Sequence, residues 1–111
     1  MAKHALADRH RSSYELREAL REQCGRAVVA GYDTAPFILM MHKYGTVGAC
    51  KKVVMSRNVP GGFTWLLKNE HLDLSVEATI LRGPWRVLFG VDVLDRARSR
   101  LEKHGRKDLA I

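Results

Sequence analysis

Apolar residues recur at helical spacing along most of the chain. The first such pattern places Leu16, Leu20, Cys24, Ala27 and Val28 on one side. Ser12 and Glu15 form the S-x-x-E pattern of a capping box, which predicts that a helix begins at residue 12. Gly31 is typical of the position just past a helix end, so we expect this helix to stop near residue 30.

Two further helices are predicted on either side of Gly45. Asp33 or Thr34 can cap the first, whose apolar residues at i, i+3, i+4 and i+7 are Phe37, Met40, Met41 and Tyr44. Thr46 can cap the second, whose apolar face is Val47, Cys50 and Val54. The pattern therefore predicts two helices joined by a tight glycine turn, which also resembles the arrangement of a helix-turn-helix unit.

The second half of the chain predicts three more helices separated by glycine and proline. A loop at residues 56–62 precedes a short helix at about residues 63–67. Residues 72–81 predict a helix with Asp73 as a possible cap, although alternating apolar residues at its start also fit a strand. Gly83 and Pro84 break the chain before an apolar linker at residues 85–89, which we expect to pack under neighbouring helices. The last helix is predicted from Val91 to His104.

These elements predict an all-α fold, a compact array of about six helices. We expect a flexible basic arm at residues 1–11, a single helical domain at residues 12–105 and a short tail at residues 106–111. With 111 residues, the chain is long enough to form one apolar core without a disulfide or metal to stabilise it.

The charge distribution suggests an anionic partner. The chain carries 19 Lys and Arg against 12 Asp and Glu, a formal charge of +7. Residues 31–70 have the highest ratio of basic to acidic side chains, with five basic and two acidic. A basic surface that is merely well solvated is the alternative interpretation of the same composition.

We expect the basic residues of this region to contact nucleic-acid phosphates, which would bind without reading sequence. The candidate nucleic-acid-binding residues are Lys43, Lys51, Lys52 and Arg57, with Lys68, Arg96 and Arg100 extending the surface. Generic packing of adjacent helices explains the helix pattern equally well.

No cluster in the sequence supports a metal site, a cofactor or an assigned reaction. The five histidines lack the spacing of a zinc site, and the GxxxxGK[ST] and GxGxxG phosphate-binding motifs are absent. Glu70, Asp73 and Glu77 are close in sequence. Two of their carboxylates can act as an acid–base pair, but the simpler interpretation is that these residues are helix caps and first-turn acids. Cys24 and Cys50 are expected to be buried small side chains without a disulfide. We therefore assign no enzyme class and favour a non-catalytic protein, with a hydrolytic enzyme as the third hypothesis.

A set of short segments resembles a small bacterial family of uncharacterised helical domains. They are the run from Tyr32 to Gly45, Gly62 to Leu66, Leu72 to Ala78, Leu88 with Phe89, and Ala97 to Gly105. Members of that family occur alone or beside nuclease-like regions of restriction and mobile-element proteins. The resemblance covers about residues 32–105 and implies a nucleic-acid-associated role, but no catalytic residues.

The sequence thus favours a nucleic-acid-binding or nucleic-acid-associated accessory protein. The alternative is a protein-interaction module, a homo-oligomer or a subunit of a larger assembly, using the apolar segment Phe37 to Met41 or Trp85 to Phe89. No apolar run approaches the roughly 20 residues that span a bilayer, and the N-terminal residues do not form a signal peptide. We expect a cytoplasmic protein that does not associate with membranes.

Overall fold

The fold is entirely α-helical over the part of the chain that can be described. The computed structural model describes residues 2–111, with side chains from residue 9 onward, and contains no β-strand in that range. The α-helices are α1 Ala2–Ala30, α2 Ala35–Val54, α3 Gly61–Lys68, α4 Val76–Arg82 and α5 Val91–Lys103. Short 3₁₀ helices lie at Leu72–Leu74, Pro84–Leu88 and Lys107–Leu109. The predicted all-α class is confirmed.

The first helix is longer than the sequence pattern predicted. Helix α1 begins at Ala2, so Ser12 lies inside it, and the predicted helix start at Ser12 is wrong. Residues 2–11, predicted as an arm, form the first turns of this helix. A capping box is a local signal, whereas residues 2–11 are mostly Ala, Leu, Lys and Arg, which are strong helix formers and favour a continuous helix.

Helix α1 ends at Ala30, just before Gly31, as predicted. Gly31 has a φ of 109°, and its N–H donates to the carbonyl of Val28 at 3.0 Å. The N–H of Tyr32 donates to the carbonyl of Ala27 at 2.9 Å. This pair of hydrogen bonds is a Schellman motif, in which a glycine adopts the left-handed conformation just after the helix.

Helix α2 is kinked at Gly45. The φ of 78° and ψ of 168° at this residue belong to a region of backbone space that is essentially restricted to glycine. The predicted break at Gly45 is therefore confirmed. It is a kink at one residue rather than the three- to four-residue turn that joins the helices of a helix-turn-helix unit.

Helix α4 is capped by Ser75. The backbone N–H of Ala78 donates to Ser75 Oγ at 3.1 Å, and the Ser75 hydroxyl donates to the carbonyl of Leu72 at 2.7 Å. Asp73 instead lies in the 3₁₀ helix that precedes this cap, so its predicted capping role is wrong. Two hydroxyl hydrogen bonds hold the 3₁₀ helix and α4 together at a buried corner.

The core surrounds α4, in which five consecutive residues from Glu77 to Leu81 are buried. Leu16 and Leu20 of α1 and Ala97 and Leu101 of α5 belong to the buried core. The predicted packing of the apolar linker at residues 85–89 is confirmed only in part, because Leu88 and Phe89 are buried whereas Val87 is 68% exposed. None of the helices described is long and apolar enough to cross a membrane.

Candidate functional site

The exposed lysines of α2 form the main basic feature predicted from the sequence. Between Asp33 and Glu70 the chain contains no acidic residue. Lys43, Lys51 and Lys52 are all exposed on α2, and within the described part of the chain none of them makes a salt bridge. Their positive charge is therefore available to an anion in solution.

The side chain of Tyr44 lies close to two of these lysines. Lys52 Nζ is 4.4 Å from the centroid of the Tyr44 ring, and Lys43 Nζ is 5.2 Å from the same centroid. Both distances are within the range of a cation–π interaction. Tyr44 is 41% exposed, so the residue offers an aromatic surface close to two ammonium groups.

Two glycines allow this arrangement. Tyr44 and Lys52 are eight residues apart, which is about 12 Å along the axis of a straight helix. The kink at Gly45 lies between them and changes the direction of the chain. A Cβ at Gly48 would lie 3.3 Å from the Cβ of Tyr44, so the absence of a side chain there leaves room for the tyrosine. We name Lys43, Tyr44, Lys51 and Lys52 the α2 basic surface.

The other predicted binding residues are divided between surface and interior. Arg57 is exposed in the loop after α2, and Lys68 is exposed at the end of α3. Arg96 is half-buried and donates to the carbonyl of Ser56 at 3.0 Å. The prediction that Arg100 extends the basic surface is wrong, because its side chain is only 5% exposed.

Arg100 instead connects three parts of the core. Its guanidinium donates to Glu77 Oε2 at 2.7 Å, to the carbonyl of Val53 at 3.1 Å and to the carbonyl of Ser56 at 3.0 Å. The Glu77 side chain is 2% exposed. Because Val53 lies in the last turn of α2 and Ser56 just past its end, the guanidinium also complements the negative end of that helix dipole. No sequence pattern indicates this ion pair, because its two partners lie in separate helices.

The three predicted carboxylates have separate environments. Glu70 is exposed, with a positive φ of 60°, and Asp73 lies in a 3₁₀ helix. Glu77 faces the core, where burial raises the pKa of its carboxyl and the hydrogen bond from Arg100 opposes that rise. Glu77 lies in the first turn of α4, as predicted, and its carboxylate forms a buried ion pair with Arg100.

A cavity of about 410 Å³ lies beside this ion pair. Its wall is mostly apolar and comes from α1, α2, α3, α4 and the segments between them. The polar side chains in the wall are Gln23, Cys24, Tyr32, Thr34, Ser75 and Glu77. Among the side chains described, Gln23 Oε1 is the buried oxygen that lacks a hydrogen-bond partner.

The cysteines lack the features of reactive thiols. Both are free, with Cys24 half-buried in the cavity wall and Cys50 fully buried. Burial raises the pKa of each thiol, which disfavours the nucleophilic thiolate. Over the described residues, no three His, Cys, Asp or Glu side chains come together in a way that could hold a metal ion.

No protein-family model, curated protein or solved structure matches this chain. The resemblance of residues 32–105 to a bacterial family stays a prediction.

Two residues of the candidate sites were not predicted from the sequence. Tyr44 was assigned to an apolar helix face, although its place beside a lysine in a stretch without acids was a usable signal. Gln23 carries no such signal, since its unpaired oxygen depends on the tertiary packing.

Proposed function

We propose that the chain is a non-catalytic nucleic-acid-binding or nucleic-acid-associated protein that binds mainly through phosphate contacts. The observation that carries this proposal is the α2 basic surface, where Lys43 and Lys52 lie close to an exposed tyrosine ring. Lysines that are not neutralised by neighbouring carboxylates attract phosphates. When they neutralise a phosphate, the nucleic acid releases its condensed counterions, which favours binding. An exposed aromatic ring close to such lysines can also stack on an unpaired base.

The residues outside α2 have subordinate roles in this proposal. Arg57 lies in the loop after α2 and Lys68 is the last residue of α3, and both side chains are exposed cations available to a polyanion. Arg96 and Arg100 act on the fold, because they donate to backbone carbonyls at the end of α2. Phosphate contacts of this kind do not specify a base sequence.

The test is the affinity of the purified chain for short fluorescein-labelled DNA and RNA, measured by fluorescence anisotropy at low salt. Lys51→Glu with Lys52→Glu should weaken binding by about tenfold or more, because two attractive charges become repulsive. The matched control is Lys103→Glu with Lys107→Glu, which makes the same charge change on exposed residues of the C-terminal region. Equal losses in both pairs would contradict a site on α2, and no binding by the wild type would contradict the proposal itself.

A second candidate is a protein-interaction module that associates through the first half of α2. Leu39 is 67% exposed and Ile38 is 38% exposed, although both are large apolar residues. The Trp85 to Phe89 segment is the weaker choice, because Leu88 and Phe89 are buried in the core. Light scattering on the wild type and on Leu39→Glu tests this candidate. A wild type that is monomeric at all concentrations, and that recovers no protein partner in a pull-down, would contradict it.

A further inference from the structure

We propose that the cavity between α1, α2, α3 and α4 is a binding site for a neutral, mainly apolar small molecule that carries one N–H or O–H donor. This inference is independent of nucleic-acid binding. None of the residues that line the cavity belongs to the α2 basic surface. Its volume of about 410 Å³ is within the range of pockets that bind small organic ligands.

The apolar wall determines the main chemical character of the ligand. Most of its large apolar side chains come from three helices, namely Leu20 from α1, Phe37 and Met40 from α2, and Phe63 and Leu66 from α3. Burial of an apolar ligand surface against such a wall is favourable, because it removes that surface from water. Met40 has an unbranched, flexible side chain that can adjust to the shape of an occupant.

The charges around the cavity favour a neutral ligand. No Lys, Arg or His is among the residues described as lining the cavity. A carboxylate or phosphate group would therefore enter an apolar space without a cation to pair with it, at a large desolvation cost. Glu77 is the charged residue in the wall, and it is already paired with Arg100 at 2.7 Å. A cationic ligand would have to compete with that guanidinium.

Gln23 provides the polar group of the proposed site. Its Oε1 is buried and accepts no hydrogen bond from any described residue, although Gln23 lies in the cavity wall. A buried acceptor without a partner is costly, and a ligand donor that reaches it removes that cost. The carboxamide can turn about its last side-chain bond, so a donor inside the cavity can meet the oxygen. The proposed site therefore distinguishes ligands that have a donor from those that lack one.

The test compares octanamide, which has N–H donors, with N,N-dimethyloctanamide, which has none. Isothermal titration calorimetry on the full chain should show binding of octanamide and about three- to tenfold weaker binding of the dimethyl amide. Octanamide should also slow the reaction of Cys24 with N-ethylmaleimide, because this thiol lies in the wall while Cys50 is fully buried. Absence of both binding and protection in the wild type would overturn the proposal.

Variants locate the interaction. Gln23→Met keeps the size of the side chain and removes the acceptor, so the two amides should bind with equal affinity. Arg21→Met, on the exposed face of the same helix, should retain the preference of the wild type. Ala27→Leu fills part of the cavity and should weaken both amides. If this variant fails to fold, Cys24 protection in the wild type still decides whether the cavity is occupied. A preference for octanamide that survives Gln23→Met would overturn the assigned role of Gln23.

Discussion

Glu77 of α4 and Arg100 of α5 form an ion pair of 2.7 Å inside the core, 23 residues apart in the chain. The same guanidinium donates to two carbonyls at the end of α2. One side chain therefore joins three helices. It also explains how a charged arginine is accommodated in the interior, since its donors meet a carboxylate and two backbone oxygens.

Removal of one partner from this pair should be strongly destabilising. Glu77→Met leaves the Arg100 charge buried and unpaired, and should lower the free energy of unfolding by about 3–5 kcal/mol. Glu77→Met with Arg100→Met should cost less than the sum of the two single changes. The measurement is urea denaturation of all four proteins in a double-mutant cycle.

The exposed pair of Glu22 and Arg26 provides the control for this cycle. Its atoms are 3.0 Å apart, but both side chains are more than half exposed. Glu22→Met should therefore change the free energy of unfolding by less than about 1 kcal/mol. Strict additivity at Glu77 and Arg100 would show that the two residues are not coupled.

The kink in α2 depends on Gly45. A Cβ at this residue would meet no atom within 4 Å, so any cost of Gly45→Ala comes from the backbone conformation. We expect a loss of about 1–3 kcal/mol in the free energy of unfolding. Gly25→Ala is the matched control, because Gly25 lies within helix α1 with open space around it. Alanine should stabilise that helix by roughly 0.5–1 kcal/mol. If thermal denaturation showed that Gly45→Ala and Gly25→Ala both stabilise the protein, the kink at Gly45 would be contradicted.

Loss of the Ser75 hydroxyl should destabilise the protein, because Ser75 is the N-cap of α4. Ser75→Ala removes the acceptor for the Ala78 N–H and should lower stability by about 1 kcal/mol. Asp73→Ala should have a smaller effect, because the Asp73 side chain does not cap α4. Chemical denaturation of both variants measures the difference. The reverse order of the two losses would restore Asp73 as the cap.

Glu70 occupies a position that favours glycine. Its φ of 60° lies in the left-handed region, and its N–H and that of His71 donate to the carbonyls of Leu67 and Leu66. This arrangement is the same Schellman motif that Gly31 forms after α1. Glu70→Gly should raise the free energy of unfolding by about 1 kcal/mol, because the left-handed conformation is costly for a residue with a Cβ.

The control for Glu70 separates conformation from charge. Glu70→Ala removes the same carboxylate but retains a Cβ in the left-handed conformation. Its stability should lie well below that of Glu70→Gly in thermal denaturation. Equal stabilities of the two variants would indicate that the φ of 60° imposes no strain.

The sequence predicted the features that depend on neighbouring residues. Glycine stops at Gly31 and Gly45 follow from local backbone preferences, and the buried stripe of Leu16 and Leu20 follows from helical periodicity. The start of α1 was missed because the capping box at Ser12 is a weak signal within a run of good helix formers. Local signals cannot decide between two caps as close as Asp73 and Ser75, since the packing of the preceding segment determines which one faces the helix.

The candidate sites were less predictable than the helices. The exposure of Lys43, Lys51 and Lys52 follows from the pattern of the chain. The burial of Arg100 does not, because its residue type is the same as that of the exposed arginines. Its burial depends on Glu77, which belongs to another helix. The cavity and the unpaired oxygen of Gln23 arise where four helices pack together. The spacing of residues in the sequence does not predict where that packing occurs.

The proposed role of the α2 basic surface is tested most directly by the salt dependence of DNA binding. Each phosphate contact contributes about 0.9 to the slope of log K against log salt concentration for duplex DNA. Lys43→Gln with Lys52→Gln should therefore reduce the magnitude of the slope by about 1.8, while Lys103→Gln with Lys107→Gln should leave it unchanged. A slope that is the same in the wild type and in the α2 variant would contradict phosphate binding at this surface.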